Sequence, residues 1–199
     1  MLLVLGGGGH ARPLIETLRT LGLEPAGLLD DAARGTVLGV PILGPLDSLG
    51  AQGASAAVIA IGDNALRARL GAACRALGLA LPAVVHPTAL LSPSASVGAG
   101  AQVMARAVIG PEATLGELAL VNTGAIVEHH CTIGPAAHLG PGAVLCGGVA
   151  LGARALVGAG AAVRPGCRIG ADAVIGLGAA VVQDVPDGAR MGGVPAQPI

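Results

Sequence analysis

An aliphatic residue recurs at every sixth position from Val97 to Val181 without a break, and this period constrains the fold more than any other feature of the chain. A second series, of small or compact residues, keeps the same period from Ala101 to Val185. A period of six fits neither an α-helix, with about 3.6 residues per turn, nor a heptad coiled coil. It is typical of a short strand and a turn that occur three times in each coil of a triangular solenoid, so we predict a parallel β-helix of hexapeptide repeats.

In such a solenoid the aliphatic residues point inward and stack on their equivalents 18 residues away, so each coil is stabilised by its neighbours. Glycine follows the aliphatic residue in many repeats, as at Gly110 and Gly158, and we expect it to supply the permissive backbone that a corner needs. A disordered Gly/Ala-rich tract is the alternative, but low-complexity sequence has no reason to hold two registers over this length. The register extends back through residues 91–96, where we expect the first coil to begin.

Composition and charge exclude several classes of partner. The formal net charge is -1 and the 11 basic residues are all arginines scattered along the chain, so no cationic stripe indicates a nucleic-acid or anionic membrane surface. The chain also lacks Phe, Tyr and Trp, on which single-stranded nucleic acid is commonly stacked. Residues 129–153 carry no Asp, Glu, Lys or Arg, but glycines and prolines interrupt them, so we expect no membrane insertion. No basic leader precedes the first apolar run, which favours a cytoplasmic location, and we expect the four cysteines to be reduced.

The composition changes near residue 90, and we predict two domains, over residues 1–85 and 86–199. In the first, apolar runs alternate with helical patterns, which predicts a small Rossmann-like parallel sheet with ligands at the carboxyl ends of its strands. A glycine turn, Gly6 to Gly9 with His10, opens a helix whose backbone N–H groups can approach a phosphate. Asp30, after the next run, is placed to bind a ribose hydroxyl. The domain is too short for a dinucleotide fold, so we expect one nucleotide diphosphate; a turn used only for packing is the alternative.

Polar residues interrupt the apolar solenoid pattern within one short stretch, at Asn122, Glu128, His129, His130 and His138. A neutral imidazole near pH 7 is suited to act as a general base, and His129 or His130 is the candidate. Histidines solvated on an outer face are one alternative. Ligation of zinc by three histidines across a subunit interface is another, although we expect no metal.

Short motifs in both parts of the chain resemble those of one family. They are the glycine turn with His10, Leu29-Asp30-Asp31, Ile61-Gly62-Asp63-Asn64 with Arg67, His86-Pro87, Asn122-Thr123, Glu128-His129, Ala137-His138 and Gly193-Val194-Pro195-Ala196. Together they resemble the bacterial sialic acid O-acetyltransferase and nucleotide-amino-sugar N-acetyltransferase family over essentially the whole chain. The resemblance implies a left-handed β-helix, a homotrimer, acetyl-CoA as the donor and an amino sugar linked to UDP, GDP or dTDP as the acceptor.

The resemblance also implies roles for individual residues. His129 aligns with the general base of the family, and His130 and Glu128 flank it in the predicted catalytic group. His138, Ala159 and Leu177 align with positions that contact the cofactor, and we also expect Gly147, Gly158 and Gly178 in the cofactor site. The positions that align with contacts to the acceptor are Gly8, Gly9, His10, Asp30, Asp31 and Gly62, and we also expect Asn64 and Asn122 in the acceptor site.

Two positions depart from the family pattern. The residue after the catalytic histidine is commonly acidic and orients or strengthens the base, but here it is His130, with Glu128 as the other adjacent candidate. Gln197 stands where lysine usually follows the closing Pro-Ala motif. The predicted function is transfer of acetyl from acetyl-CoA to the amine of a nucleotide-linked amino sugar, by direct attack. O-acetylation of sialic acid or a related sugar is one alternative, and a non-catalytic trimeric scaffold that binds a nucleotide sugar is another.

Overall fold

The N-terminal part of the chain is a small α/β unit. A computed structural model describes all 199 residues. The elements of this unit are β1 (Leu2–Leu5), α1 (Ala11–Thr20), β2 (Gly27–Leu29), β3 (Thr36–Val37), β4 (Val40–Gly44), the 3₁₀-helix Leu46–Ala51, β5 (Ala56–Ile59) and α2 (Asn64–Ala76). The strands form one sheet in the order β3-β4-β2-β1-β5, and all neighbours are parallel except β3 and β4. The predicted Rossmann-like sheet is confirmed.

Both faces of this sheet are covered, which explains why its central strands are continuous apolar runs. Val4 of β1 packs against α1 through Leu14 and Leu18, and Leu3 lies in a second cluster with Cys74 of α2. The hairpin of β3 and β4 and the 3₁₀-helix were not expected, because the apolar residues between 36 and 51 follow neither a helical nor a strand period.

The rest of the chain forms the predicted solenoid of two-residue strands. They are β6 (Val84–Val85), β7 (Leu90–Leu91), β8 (Ser96–Val97), β9 (Gln102–Val103), β10 (Val108–Ile109), β11 (Thr114–Leu115), β12 (Leu120–Val121), β13 (Ile126–Val127), β14 (Thr132–Ile133), β15 (His138–Leu139), β16 (Val144–Leu145), β17 (Ala150–Leu151), β18 (Leu156–Val157), β19 (Ala162–Val163), β20 (Arg168–Ile169), β21 (Val174–Ile175) and β22 (Ala180–Val181). Every third strand joins the same sheet, which gives three sheets, and β23 (Arg190–Gly192) with β24 (Gln197–Pro198) extends the sheet that begins at β6.

Parallel pairing at a spacing of 18 residues builds the solenoid, as predicted. Val127, for example, pairs with Ile109 in the preceding coil and with Leu145 in the following one. The inward aliphatic residues and the small residues form one continuous buried core. The first coil begins earlier than expected, because β6 already pairs with β9. The predicted domain boundary, between residues 85 and 86, falls directly after β6.

The glycine that follows the aliphatic residue has a different role from the one expected. The backbone at Gly110 is not in the left-handed region, but a Cβ there would lie 2.8 Å from the backbone N of His129 in the next coil. Glycine at this position therefore lets successive coils approach closely. The left-handed residue comes two positions later, where Glu112 has a φ of 58°.

Helix α2 connects the two parts of the molecule. Gly71, in the middle of the helix, leaves room for the side chain of Leu118, which projects from a solenoid corner and would collide with a Cβ at Gly71. Leu118 is buried in the same cluster as strands β1 and β5. The α/β unit and the solenoid therefore share a core at this junction. Neither helix has the length and apolar composition needed to cross a membrane.

Candidate active site

The glycine turn between β1 and α1 presents three consecutive backbone N–H groups, those of Gly8, Gly9 and His10, that have no acceptor within the chain. Gly8 and Gly9 are exposed, with open space beside each Cα. Gly6 has a φ of 105°, and a Cβ there would lie 2.9 Å from the carbonyl oxygen of Ala60, so the turn requires glycine at its start. Unpaired N–H groups at a helix N-terminus suit a phosphate.

The Asp30 carboxylate braces this turn. Its Oδ2 accepts a hydrogen bond from the Gly7 N–H at 2.7 Å, and its Oδ1 accepts from Ala32 and Ala33 at 2.9 and 2.6 Å. Desolvation opposes ionisation, but these three N–H groups and the charge of Arg34 outweigh it and lower the pKa of Asp30. Asp31 is exposed and accepts from the Leu46 N–H at 2.9 Å. Contacts of either carboxylate with an acceptor stay predictions.

His10 connects the turn to the solenoid. Its Nε2 lies 2.8 Å from Oε1 of Gln102, and the Gln102 amide donates from Nε2 to the carbonyl of Ile59 at 2.7 Å. The amide orientation makes His10 Nε2 the donor, which leaves Nδ1 with a lone pair. Burial lowers the pKa of His10, the bond to Gln102 opposes this, and the charge of Arg67 adds to the lowering. His10 is therefore a neutral, fixed ring.

His138 lies on the same sheet, with Leu120 between it and Gln102. Asn122 Oδ1 accepts from the Thr123 N–H at 2.8 Å, so its Nδ2 faces Nε2 of His138, at 3.4 Å. Burial, then the charges of Arg67 and His10, lower the pKa of His138 to about 4, and the backbone of Gly62 opposes this lowering. The ring is therefore neutral near pH 7.

A buried arginine holds these groups in place. The Arg67 guanidinium donates to the carbonyls of Ile61, Leu118 and Ala136 at 2.9, 3.0 and 2.8 Å, and burial, partly offset by the charge of Asp63, lowers its pKa to about 10. Asn64 accepts from Arg67 and donates to the Arg154 carbonyl at 2.7 Å. The Asn64 side chain therefore connects the two parts of the chain.

We call His10, Gly62, Gln102, Asn122 and His138 the junction cluster. Four of these residues were predicted from the sequence as separate site residues, and the structure brings them together. The fifth, Gln102, was not predicted. Gln102 is 1% exposed and occupies a strand position that its parallel neighbour fills with Leu120. A polar residue at an apolar position of the repeat was the signal that could have identified it.

A second group lies at the corner between β13 and β14. His129 and His130 are both exposed, with their Nδ1 atoms 2.8 Å apart. The His129 ring lies over Gly147, one coil further on, and would collide with any Cβ at that position. The Gly147 N–H has no acceptor within the chain. The His129 ring can therefore occupy this position only because residue 147 is glycine.

A carboxylate that the sequence analysis missed completes this group. His130 Nε2 lies 3.0 Å from Oε2 of Glu112, which occupies the same corner one coil earlier. The side chain of the predicted acidic partner, Glu128, makes no ion pair or hydrogen bond. The 18-residue spacing between positions 112 and 130 was the signal that could have revealed Glu112. We call Glu112, His129, His130 and Gly147 the corner cluster.

The predicted cofactor positions beyond His138 and Gly147 lie near the corner that follows β18 and β21. The backbone N–H groups of Ala159 and Leu177 have no acceptor, and these residues are stacked one coil apart. Leu177 is exposed, and a Cβ at Gly158 would collide with the next coil, 2.8 Å from the Gly176 carbonyl carbon. Gly178 has a φ of 62°. The corner offers backbone donors, and their contact with CoA stays a prediction.

No hydrogen bond or ion pair joins the corner cluster to the junction cluster. A cavity of about 490 Å³ lies on the sheet of β14, β17 and β20, lined by Arg168, Asp184 and Asp187 among others, and contains none of the predicted residues. No group of three or more His, Cys, Asp or Glu side chains is arranged to hold a metal ion.

The fold recurs in known proteins. A family model described as the PglD N-terminal domain matches residues 1–72. Among solved structures, PerB from Caulobacter crescentus in complex with CoA and GDP-perosamine is 46% identical, with a TM-score of 0.95 and coverage of 100% of this chain and 96% of that chain. The chain belongs to the nucleotide-amino-sugar N-acetyltransferase and sialic acid O-acetyltransferase family. The β-helix of this family member is accordingly left-handed.

Two further structures are also similar to this chain over its whole length. The acetyltransferase domain of PglB from Neisseria gonorrhoeae in complex with acetyl coenzyme A is 36% identical, with a TM-score of 0.96 and coverage of 100% of this chain and 98% of that chain. WeeI from Acinetobacter baumannii is 25% identical, with a TM-score of 0.92 and coverage of 100% and 99%. Comparison with curated proteins finds no match.

Proposed function

We propose that this chain is a cytoplasmic, homotrimeric enzyme that transfers acetyl from acetyl-CoA to the amine of a nucleotide-linked amino sugar. One observation carries the proposal: the chain is similar along its full length to a protein bound to CoA and GDP-perosamine. The unpaired N–H groups of the glycine turn support it, because they suit the phosphates of a nucleotide sugar. The exposed imidazole of His129 supports the proposal as well, because the attacking amine must lose a proton and an imidazole can accept it.

The reaction requires no covalent enzyme intermediate. The sugar amine attacks the thioester carbonyl carbon, a C–N bond forms, and His129 Nε2 accepts a proton from the nitrogen. Collapse of the tetrahedral intermediate breaks the C–S bond, and the proton on His129 passes to the departing CoA sulfur. Holding both substrates in one site contributes much of the acceleration, because a bimolecular attack becomes effectively unimolecular.

The oxyanion of the intermediate needs a donor, and we assign the Gly147 N–H. This group has no acceptor in the chain, and it belongs to the residue over which the His129 ring lies. Preorganised backbone donors of this kind are a large source of transition-state stabilisation. His138 is not assigned this role, because its Nε2 faces the donor Nδ2 of the Asn122 amide.

A homotrimer would bring the base of one copy close to the sugar bound by another. In a single chain the corner cluster is separate from the junction cluster, although the reaction needs the base beside the bound sugar. A second copy whose corner faces the junction cluster of the first would close the site between two β-helices. CoA would then lie along the cleft, against the free N–H groups of Ala159 and Leu177.

Release of free thiol from acetyl-CoA tests the function. Purified protein is supplied with a panel of GDP-, UDP- and dTDP-linked amino sugars, and with sialic acid in a parallel reaction. We expect thiol release with at least one amino sugar, and N-acetylation of that sugar by mass spectrometry. Turnover of sialic acid alone would replace the proposal with O-acetylation. Binding of a nucleotide sugar without thiol release would replace it with the scaffold.

His129→Ala tests the base. We expect turnover to fall by about 10²- to 10⁴-fold, the usual contribution of a general base. The melting temperature should stay close to that of the wild type, because His129 is exposed and packs against no apolar core residue. Turnover within about threefold of the wild type would show that another group accepts the proton.

A further inference from the structure

Three side chains of the corner cluster form a continuous hydrogen-bonded line. Glu112 Oε2 is 3.0 Å from His130 Nε2, and His130 Nδ1 is 2.8 Å from His129 Nδ1. Each contact uses a different nitrogen of His130, so this ring bridges the carboxylate and the base. The His129 Nε2 is left at the open end of the line, over Gly147.

The carboxylate determines the direction of both hydrogen bonds. A carboxylate only accepts, so neutral His130 must carry its proton on Nε2, and its Nδ1 has a lone pair. That lone pair accepts the Nδ1–H of His129, and His129 Nε2 is then unprotonated. The opposite arrangement would place a proton on His129 Nε2, the atom that must accept one.

We propose that Glu112, acting through His130, sets the tautomer of His129 and so prepares Nε2 to accept the proton of the amine. Glu112 and His130 are positioning residues in this scheme, and His129 alone touches the reacting atoms. The inference deepens the proposed function and rests on it. The family commonly has an acidic residue directly after the catalytic histidine. Here His130 occupies that position and connects His129 to Glu112, a carboxylate in the preceding coil.

The line has one feature that an ordinary exposed ion pair lacks. Arg154 and Asp172 form such a pair at another corner, with the same spacing of 18 residues and the same left-handed backbone, and it ends there. The Glu112–His130 pair continues to a third titratable ring.

Other titratable groups near this corner are few. Glu128 precedes His129 in the chain, and Cys146 stands one coil beyond Glu128. No arginine forms an ion pair with Glu112 or Glu128. Glu112 therefore faces the two histidines without a competing cation.

Substitution of Glu112 in two backgrounds tests the proposal. Glu112→Gln should lower kcat by about 10- to 100-fold, less than the 10⁴-fold loss known for neutralising a buried triad carboxylate, because this site is exposed. His130→Glu places a carboxylate directly beside His129, and Glu112 shows that glutamate is accepted in this backbone conformation. In the His130→Glu background, Glu112→Gln should therefore change kcat by less than about twofold.

Asp172→Asn is the matched control, because it breaks an exposed ion pair of the same geometry away from the site. It should leave kcat unchanged.

Nitrogen-15 NMR of the histidines separates failure of this inference from failure of the proposed function. In wild-type protein above the histidine pKa, His129 should be protonated on Nδ1, whether or not any acceptor is turned over. In Glu112→Gln this preference should be lost. Equal kcat in wild type and Glu112→Gln, an equal loss in both backgrounds, or a wild-type His129 protonated on Nε2 would each overturn the proposal.

Discussion

The Asp30 carboxylate shows how a residue predicted for binding is used by the fold itself. The sequence placed Asp30 correctly at the carboxyl end of β2, because an apolar run followed by acidic residues indicates a strand end. Its three backbone donors were not predictable, since they depend on how the loop after β2 folds towards the glycine turn. The same holds for Gln102, whose partners come from residues far apart in sequence.

Asp30→Asn should destabilise the protein by about 1–3 kcal/mol at pH 7, because backbone N–H groups lose a charged acceptor. The folded-state pKa of Asp30 is lowered, so its stabilisation is complete above the unfolded pKa of about 4 and is lost as the pH falls further. Urea unfolding at pH 7 and pH 3 should show a difference between wild type and variant that shrinks at pH 3. Asp47→Asn is the control, since Asp47 is exposed and forms no ion pair. A constant difference at both pH values would refute this account.

Helix α2 was predicted from the sequence, but the role of Gly71 within it was not. The alternation of apolar runs with helical patterns predicted helices in this part of the chain, and α2 is one of them. Gly71 opposes helix formation by its intrinsic propensity, by about 1 kcal/mol relative to alanine. Its purpose is visible only in the structure, where Leu118 of the solenoid occupies the space of the absent side chain. The hairpin of β3 and β4 was not predicted, because strands of two and five residues are too short to show a clear period.

Gly71→Ala should destabilise the protein by about 1–3 kcal/mol, because the new Cβ overlaps Leu118 and the cost of overpacking exceeds the gain in propensity. Adding Leu118→Ala removes the overlap, so the double variant should be more stable than the sum of the two single effects predicts, by at least about 0.5 kcal/mol. Chemical denaturation of the four proteins measures this. Strict additivity would mean that Leu118 does not determine the need for glycine.

For the whole molecule, the period of six predicted the solenoid and the resemblance predicted its family, but neither showed how the site is divided. The polar residues 122, 129 and 138 are close in sequence, yet the structure places the first and last in the junction cluster and His129 at another corner. Sequence order does not distinguish the corners of a coil from one another by function. The assignment of these residues to two separate clusters therefore required the three-dimensional structure.

Mixing two inactive variants tests the shared site. His129→Ala removes the base, and Gly9→Glu places a carboxylate at the phosphate turn, where a side chain meets no steric obstacle. If each site joins the corner of one copy to the junction of the next, randomly assorted 1:1 trimers should regain about a quarter of wild-type activity. Trimer formation is verified by light scattering, and each variant alone is the control. No recovery after subunit exchange would place both clusters in the same chain's site.

The uniform 18-residue coil also limits how the length of such a chain can vary. Loss or gain of six residues would turn every later strand onto the neighbouring sheet and move all later corners by a third of a circle. Only whole coils can be inserted or deleted while His129 keeps its glycine neighbour at position 147 and the later corners keep their directions. Relatives of different length should therefore differ by complete coils, or by changes in the α/β unit and the C-terminal hairpin.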